Sequence, residues 1–204
     1  MPAEYDFTVD WFSPRWPVWL AITAGAAPRR ILEVGSYEGR SATLMIEEFG
    51  GRGPLHLFCI DTWAGSVEHG GTDMAAVEAR FDRNVALAAS RAANTVVMEK
   101  CKGPSAERLA RLLAGGHEGS FDLVFIDGSH QAPDVLTDLV LGYRLCRIGG
   151  FLFCDDYLWS MEPDGRQDPL NMPKPAIDAF ANLFMRRIKQ FEQTNYQAYF
   201  RRTA

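Results

Sequence analysis

Short apolar runs alternate with stretches of helical period along most of the chain. The runs are 29–35 (RRILEVG), 55–61 (LHLFCID), 94–99 (NTVVME), 121–127 (FDLVFID) and 150–156 (GFLFCDD). Runs this short and this continuous predict strands buried on both faces. Between them, 42–50 is apolar-rich and stops at Gly50–Gly51. Residues 74–89 set Met74, Val77, Phe81, Val85 and Ala88 on one helical stripe. In 105–116 the stripe is Leu109, Leu112 and Leu113, with Ser105 as the expected N-cap and a glycine stop. In 133–150, Pro133 sits in the first turn, and Val135, Leu136, Leu139, Val140 and Tyr143 share a face. Arg144 and Arg147 lie near its end. These stripes read as core faces. Strands separated by helices predict an α/β fold, a mostly parallel sheet with helices on both faces. The tail differs. Residues 160–175 hold four prolines and predict a long loop, and 176–187 predicts a short helix. The segments 188–194 and 196–202 alternate and predict an antiparallel hairpin turning near Asn195.

Composition narrows the function. A chain of 204 residues, 47% apolar and 23% charged, suits one globular domain. The net charge of 21 − 26 = −5, without a basic run, argues against a nucleic-acid partner. The apolar runs are too short to span a bilayer, and no secretory leader is expected. Cys59, Cys101, Cys146 and Cys154 form no C-x-x-C pair, and Cys59 and Cys154 lie inside apolar runs. That pattern predicts free thiols and a cytoplasmic protein.

Candidate chemistry collects at the strand ends, where α/β folds bind ligands. Asp61, Asp127 and the pair Asp155–Asp156 end strands, and Glu33 lies two residues before Gly35. After the first strand, EVGSYEGRSA opens a helix. Gly35 can take a positive φ and let a ligand approach the backbone, and Gly39 can let the helix start pack closely. The turn is not G-x-G-x-x-G, and Glu38 near a helix N-terminus disfavours a pyrophosphate. Asp61 stands 26 residues beyond Gly35, where an acid accepts hydrogen bonds from a ribose diol. Taken singly, these features suit a tight turn and a loop aspartate. Together they favour a nucleoside without phosphate, with S-adenosylmethionine the obvious one.

ILEVGSYEGRSA, CIDTWAG and FDLVFIDGSH resemble the first, second and fourth motifs of class I S-adenosylmethionine-dependent methyltransferases, over roughly residues 30–158. The subgroup resembled is the bacterial small-molecule O-methyltransferases related to the macrolide-sugar enzymes, with catechol O-methyltransferases more distant. The resemblance implies a Rossmann-like domain over 29–204, with a seven-stranded, mostly parallel sheet closed by a C-terminal antiparallel hairpin. It leaves 1–28 as an aromatic-rich segment that would pack on the core, roof the substrate or contact a second copy. It also implies that Glu33, Gly35, Ser36, Tyr37, Gly39, Ser41 and Asp127 line S-adenosyl-L-methionine. Asp61 would hold the ribose with Thr62 and Trp63 beside it, and Gly103 and Ser105 would form the adenine turn.

In that fold Asp127 and Asp155–Asp156 end neighbouring strands. Their carboxylates converge and repel unless they are protonated or neutralised. A hard divalent cation meets that need, and in catechol-type enzymes the matching positions bind Mg²⁺. Asp127, Asp155 and Asp156 are therefore the expected metal ligands. His130 holds the position of the general base, and an imidazole with an unperturbed pKa of ~6.5 suits that role. The expected activity is metal-assisted O-methylation of a small hydroxylated molecule: a sugar, a phenol or a natural product. The alternatives are a metal-independent N- or O-methyltransferase, a nicotinamide-dependent oxidoreductase and a non-catalytic binding subunit. His56 reads as structural, and His69 and His117 as loop residues. The acceptor is expected under loops 64–73 and 157–175, and a homodimer is the default assembly.

Overall fold

The computed structural model describes residues 4–191 and 196–204. Its seven strands are β1 (Arg30–Val34), β2 (Leu55–Asp61), β3 (Val96–Lys102), β4 (Phe121–Ile126), β5 (Cys146–Cys154), β6 (Ile188–Gln190) and β7 (Ala198–Arg202). They form one sheet in the order β3-β2-β1-β4-β5-β7-β6. The first five strands run parallel, and β7 lies antiparallel between β5 and β6. The helices are α1 (Trp16–Ile22), α2 (Arg40–Met45), α3 (Met74–Arg91), α4 (Ser105–Ala114), α5 (Ala132–Leu145) and α6 (Lys174–Phe184).

Strand alternation divides the core in two. Leu32 and Val34 of β1 face one layer, with Leu109 of α4, Leu139 of α5 and Phe180 of α6. Ile31 faces the other, with Trp19 of α1, Met45 of α2 and Phe81 of α3. The expected α/β sheet with helices on both faces and a terminal antiparallel pair is what forms. No helix among the described residues is long and apolar enough to cross a membrane. The four cysteines are free, three of them buried.

The differences from expectation have local causes. Strand β3 sits at the sheet edge, so its backbone pairing with β2 continues to Asp61↔Lys102, past its apolar residues. Helix α5 ends at Leu145, five residues before the expected stop, because Cys146 already pairs with Phe121. An irregularity between Phe121 and Leu123 absorbs the polar start of β5. Ser105 is the first residue of α4 and not its cap. Pro104 takes the cap position, without a side-chain hydrogen bond. Helix α6 begins at Lys174, earlier than expected, with a proline in its first turn. The expected hairpin turn near Asn195 lies outside the described residues.

The N-terminal segment is stitched into the domain. Trp19 is fully buried, with its ring 4.7 Å from Phe125 and 4.8 Å from Phe153. Thr8 donates through its backbone N–H (2.7 Å) and its hydroxyl (2.8 Å) to the buried Glu38 carboxylate. Glu38 thus anchors the segment, while Arg80 Nη1 reaches its Oε1, which also accepts the Thr8 hydroxyl, at 3.3 Å.

Gly35 is the tightest point of the fold. Its φ is +86°, and a Cβ there would lie 1.8 Å from the Asp127 carbonyl oxygen. Gly35→Ala should therefore cost at least ~3 kcal/mol, combining left-handed strain with a backbone clash. Gly25→Ala has φ +78° but nothing within 4 Å, and should cost only about 1 kcal/mol. Urea denaturation of the two variants checks this, and equal losses would contradict it.

Candidate active site

The turns after β1, β2 and β3 are tied to one another. Asp61 Oδ2 accepts the backbone N–H groups of Ser36 and Tyr37, both at 2.9 Å, and Oδ1 accepts that of Trp63 at 2.7 Å. A carboxylate offers about four acceptor directions, so one remains for a ligand hydroxyl. The Asp61 carbonyl accepts the Gly103 N–H at 2.8 Å, which places Ser105 at the start of α4 beside the same rim. Trp63 is buried against Phe81 and donates from Nε1 to the Tyr37 carbonyl at 3.0 Å, so it anchors its loop. Thr62 is exposed, its hydroxyl accepting the Ala64 N–H at 3.1 Å. Gly39 fits closely over α3, where a Cβ would lie 3.1 Å from both Phe81 and Val85. Glu33 is fully buried and accepts the hydroxyls of Ser36 (2.6 Å) and Ser41.

On the neighbouring strands, Asp127, His130, Asp155 and Asp156 line a small cavity of about 10 Å³, with Cys154 and Pro173 among its walls. One ligand atom from each of Asp127, His130 and Asp156 falls within 4.8 Å of the other two. His130 Nε2 lies 2.7 Å from Asp156 Oδ2, and its ring packs 3.9 Å from that of Trp159. Its Nδ1 is buried without a hydrogen-bond partner among the described residues, 3.6 Å from Glu68 Oε1. Asp155 is engaged elsewhere. Its Oδ2 accepts Gln197 Nε2 at 2.7 Å, and its Oδ1 accepts the Asp156 N–H at 2.8 Å. Among the described residues, three non-glycine residues hold positive φ, and all follow strand ends at this rim: Tyr37 (47°), Trp63 (45°) and Asp156 (58°). Such conformations gather where surrounding structure over-determines the backbone, often at functional sites.

The electrostatics are those of crowded acids. Burial, reinforced by the charges of Asp155 and Asp156, pushes the Asp127 carboxyl well above the usual range. Burial and then the charge of Asp156 raise Asp155. For His130, burial works against the charged form. The hydrogen bond and charge of Asp156, with Glu68 and Asp155, outweigh it and raise the pKa. Converging carboxylates, a partnerless buried imidazole nitrogen and a small cavity together fit a divalent cation.

A family profile described as a methyltransferase domain matches residues 32–157. The chain belongs to this methyltransferase-domain family. It is 30% identical over 145 residues to O-methyltransferase hkm8 of Aspergillus hancockii, a match covering 71% of this chain and 49% of that protein. The chain thus spans about half the length of the curated relative it matches. Its fold is similar to the O-methyltransferase TomG from Streptomyces achromogenes, solved with S-adenosylmethionine. That match has 20% identity, a TM-score of 0.66, and covers 98% of this chain and 83% of TomG. It is similar also to MycE of the mycinamycin pathway, solved with Mg, S-adenosylhomocysteine and mycinamycin VI. There the identity is 19%, the TM-score 0.58, and the cover 97% of this chain and 51% of MycE.

Two residues of the methyltransferase rim escaped the sequence reading. Glu68 arrives on a 3-10 turn, Val67–His69, whose His69 ring stacks on Tyr37 at 5.1 Å. Its only cue was an acid beside a histidine in the loop after β2. Gln197 precedes β7, and no local pattern marks it.

Burial raises Glu33 to about 7, against the pull of its Ser36, Ser41 and Cys59 hydrogen bonds. Because the folded state holds this proton more tightly than the unfolded state, stability is present below about 4.5. It then falls as pH rises toward about 7. Glu33→Gln should flatten the stability–pH curve across that window, by up to ~1.4 kcal/mol per pH unit. Denaturation midpoints at pH 5, 6 and 7 in chelator check this, and parallel curves for the two proteins would contradict it.

Proposed function

We propose that the chain transfers a methyl group from S-adenosyl-L-methionine to a hydroxyl of a small molecule, with a divalent cation in the acid pocket and His130 as general base. One observation carries the reading: Asp127 belongs to both halves of the rim. Its carbonyl packs on Gly35 of the nucleoside turn, while its carboxylate converges with His130 and Asp156. Donor and acceptor held there would be adjacent, and alignment alone supplies much of such a rate. TomG with S-adenosylmethionine and MycE with Mg and S-adenosylhomocysteine support the donor and the metal. The macrolide held by MycE supports a small-molecule acceptor. The acidic net charge and free cysteines favour a cytoplasmic protein without a nucleic-acid partner, and a homodimer is the default assembly.

When bound, the donor supplies a methyl activated by its sulfonium, and the cation lowers the pKa of the acceptor hydroxyl. Asp127 and Asp156 would hold the cation, Mg²⁺ before others. In the neutral ring, Asp156 accepting Nε2–H of His130 would fix the tautomer with the lone pair on Nδ1. Nδ1 takes the acceptor's proton. The deprotonated acceptor oxygen would be the nucleophile for the donor's methyl, and the donor's sulfur would keep the electron pair of the bond it gives up. A second reading makes His130 a third metal ligand, which the tight Asp127–His130–Asp156 grouping favours.

Methyl transfer to a panel of diols, phenols and sugars should stop in EDTA and return with Mg²⁺. Asp127→Ala should lose at least ~100-fold, and His130→Ala about 10²- to 10⁴-fold. A His130→Ala protein that still binds the cation identifies a base, and one that does not identifies a ligand. Turnover indifferent to EDTA and to Asp127→Ala would overturn the metal-assisted reading.

A further inference from the structure

Arg15, on the 3-10 turn Ser13–Arg15 before α1, is a partly buried guanidinium without an acid. Arg80, Arg144 and Arg147 each reach a carboxylate. Among the described residues, the Arg15 side chain has one partner, the Tyr196 ring, with Cζ 4.4 Å from its centroid. Both members of that stack are held in place. The Arg15 N–H donates to the Phe12 carbonyl at 2.8 Å, and the buried Phe12 ring packs 5.6 Å from Phe125 of β4. The Tyr196 carbonyl accepts the Tyr157 N–H at 2.9 Å, which ties the platform to the residue after Asp156. A guanidinium stacked by its face keeps its N–H edge for a ligand, and that planar fork matches an oxyanion.

The sheet order says which ligand. Burial raises the Asp155 carboxyl, and the charge of Arg15 lowers it, so the guanidinium lies within electrostatic reach of the acid pocket. Tyr196 stands just before β7, and the strands run β1-β4-β5-β7. With strands about 4.8 Å apart, β7 is about 14 Å from β1 but only about 10 Å from β4. The turn after β1 and Arg15 therefore flank the pocket from opposite sides. A donor seated at that turn leaves Arg15 on the acceptor's side.

We propose that Arg15 binds a carboxylate of the acceptor, which makes the acceptor a hydroxy acid with its hydroxyl at His130 and its carboxylate on the guanidinium edge, a reading that rests on methyl transfer in the pocket. Phosphate shares the fork geometry, but a carboxylate carries less charge to be repelled by Asp155 and Asp156. A span of about two strand spacings, roughly 10 Å, suits a compact acid built on one ring.

The test is calorimetric binding of matched acids and amides to the full chain in S-adenosylhomocysteine and Mg²⁺. The pairs are protocatechuate and its amide, salicylate and salicylamide, and glucuronate and glucuronamide. At least one acid should bind about 10- to 100-fold tighter than its amide, the range of a hydrogen bond to a charged group. Arg15→Gln should abolish that preference and leave amide binding unchanged. Arg15→Lys keeps the charge without the fork and should retain part of it. Tyr196→Leu frees the guanidinium and should lower the preference about 2- to 5-fold. No acid preference in any wild-type pair, or a preference that survives Arg15→Gln, would overturn the proposal. Methylthioadenosine, which lacks the donor's amino acid, separates the two sources of a carboxylate. Arg15→Gln should leave S-adenosylhomocysteine and methylthioadenosine binding as in wild type. Weakening of the first alone would give Arg15 to the donor's carboxylate and overturn the acceptor assignment. Wild type that binds neither nucleoside would bring down the methyl-transfer reading itself, whereas nucleoside binding without acid preference brings down this inference alone.

Discussion

Acid repulsion at one rim of the sheet is the constraint from which the rest follows. Parallel strands end on the same side, so the carboxylates of Asp61, Asp127, Asp155 and Asp156 are delivered to one edge by topology alone. Burial makes their mutual repulsion expensive. The chain answers it in three ways. Asp61 is satisfied by three backbone N–H groups, and Asp155 by an amide and a backbone N–H. Asp127 and Asp156, with His130 between them, form the group that the proposed cation would neutralise.

Each solution is built from distant parts of the chain. The left-handed turns at Tyr37, Trp63 and Asp156 persist because side-chain or carbonyl partners close around them. Gly35 allows the first turn to touch the backbone just past β4, and so couples the turn after β1 to the acid pocket. The N-terminal segment completes the arrangement through Glu38 on one side and Trp19 on the other. The rim is a property of the whole domain and not of one motif.

That explains what could be read in advance. Strands β1, β2 and β4 were legible because both faces are buried and their side chains are mostly apolar. The five-residue error at the end of α5 arose because Cys146 already pairs with Phe121, while Arg147 to Gly150 fall in the register shift before Phe151 and carry no buried apolar pattern. The convergence of Asp127, His130 and Asp156 was legible because each sits just past an apolar run. The hydrogen bonding of Asp155 was not, since its partner Gln197 lies 42 residues beyond it. Glu68 was hidden for a related reason, as a loop residue whose meaning comes from the histidine it approaches. The glycine at position 35 was marked for a ligand's approach, yet the atom nearest its missing Cβ belongs to Asp127.

The most direct test of the account is anomalous diffraction at the manganese edge, from crystals grown with Mn²⁺ and S-adenosylhomocysteine. The account predicts a single strong peak within ligand distance of Asp127 and Asp156, with the nucleoside seated beyond β1, β2 and β3. A bound nucleoside with no peak between those two aspartates would contradict it.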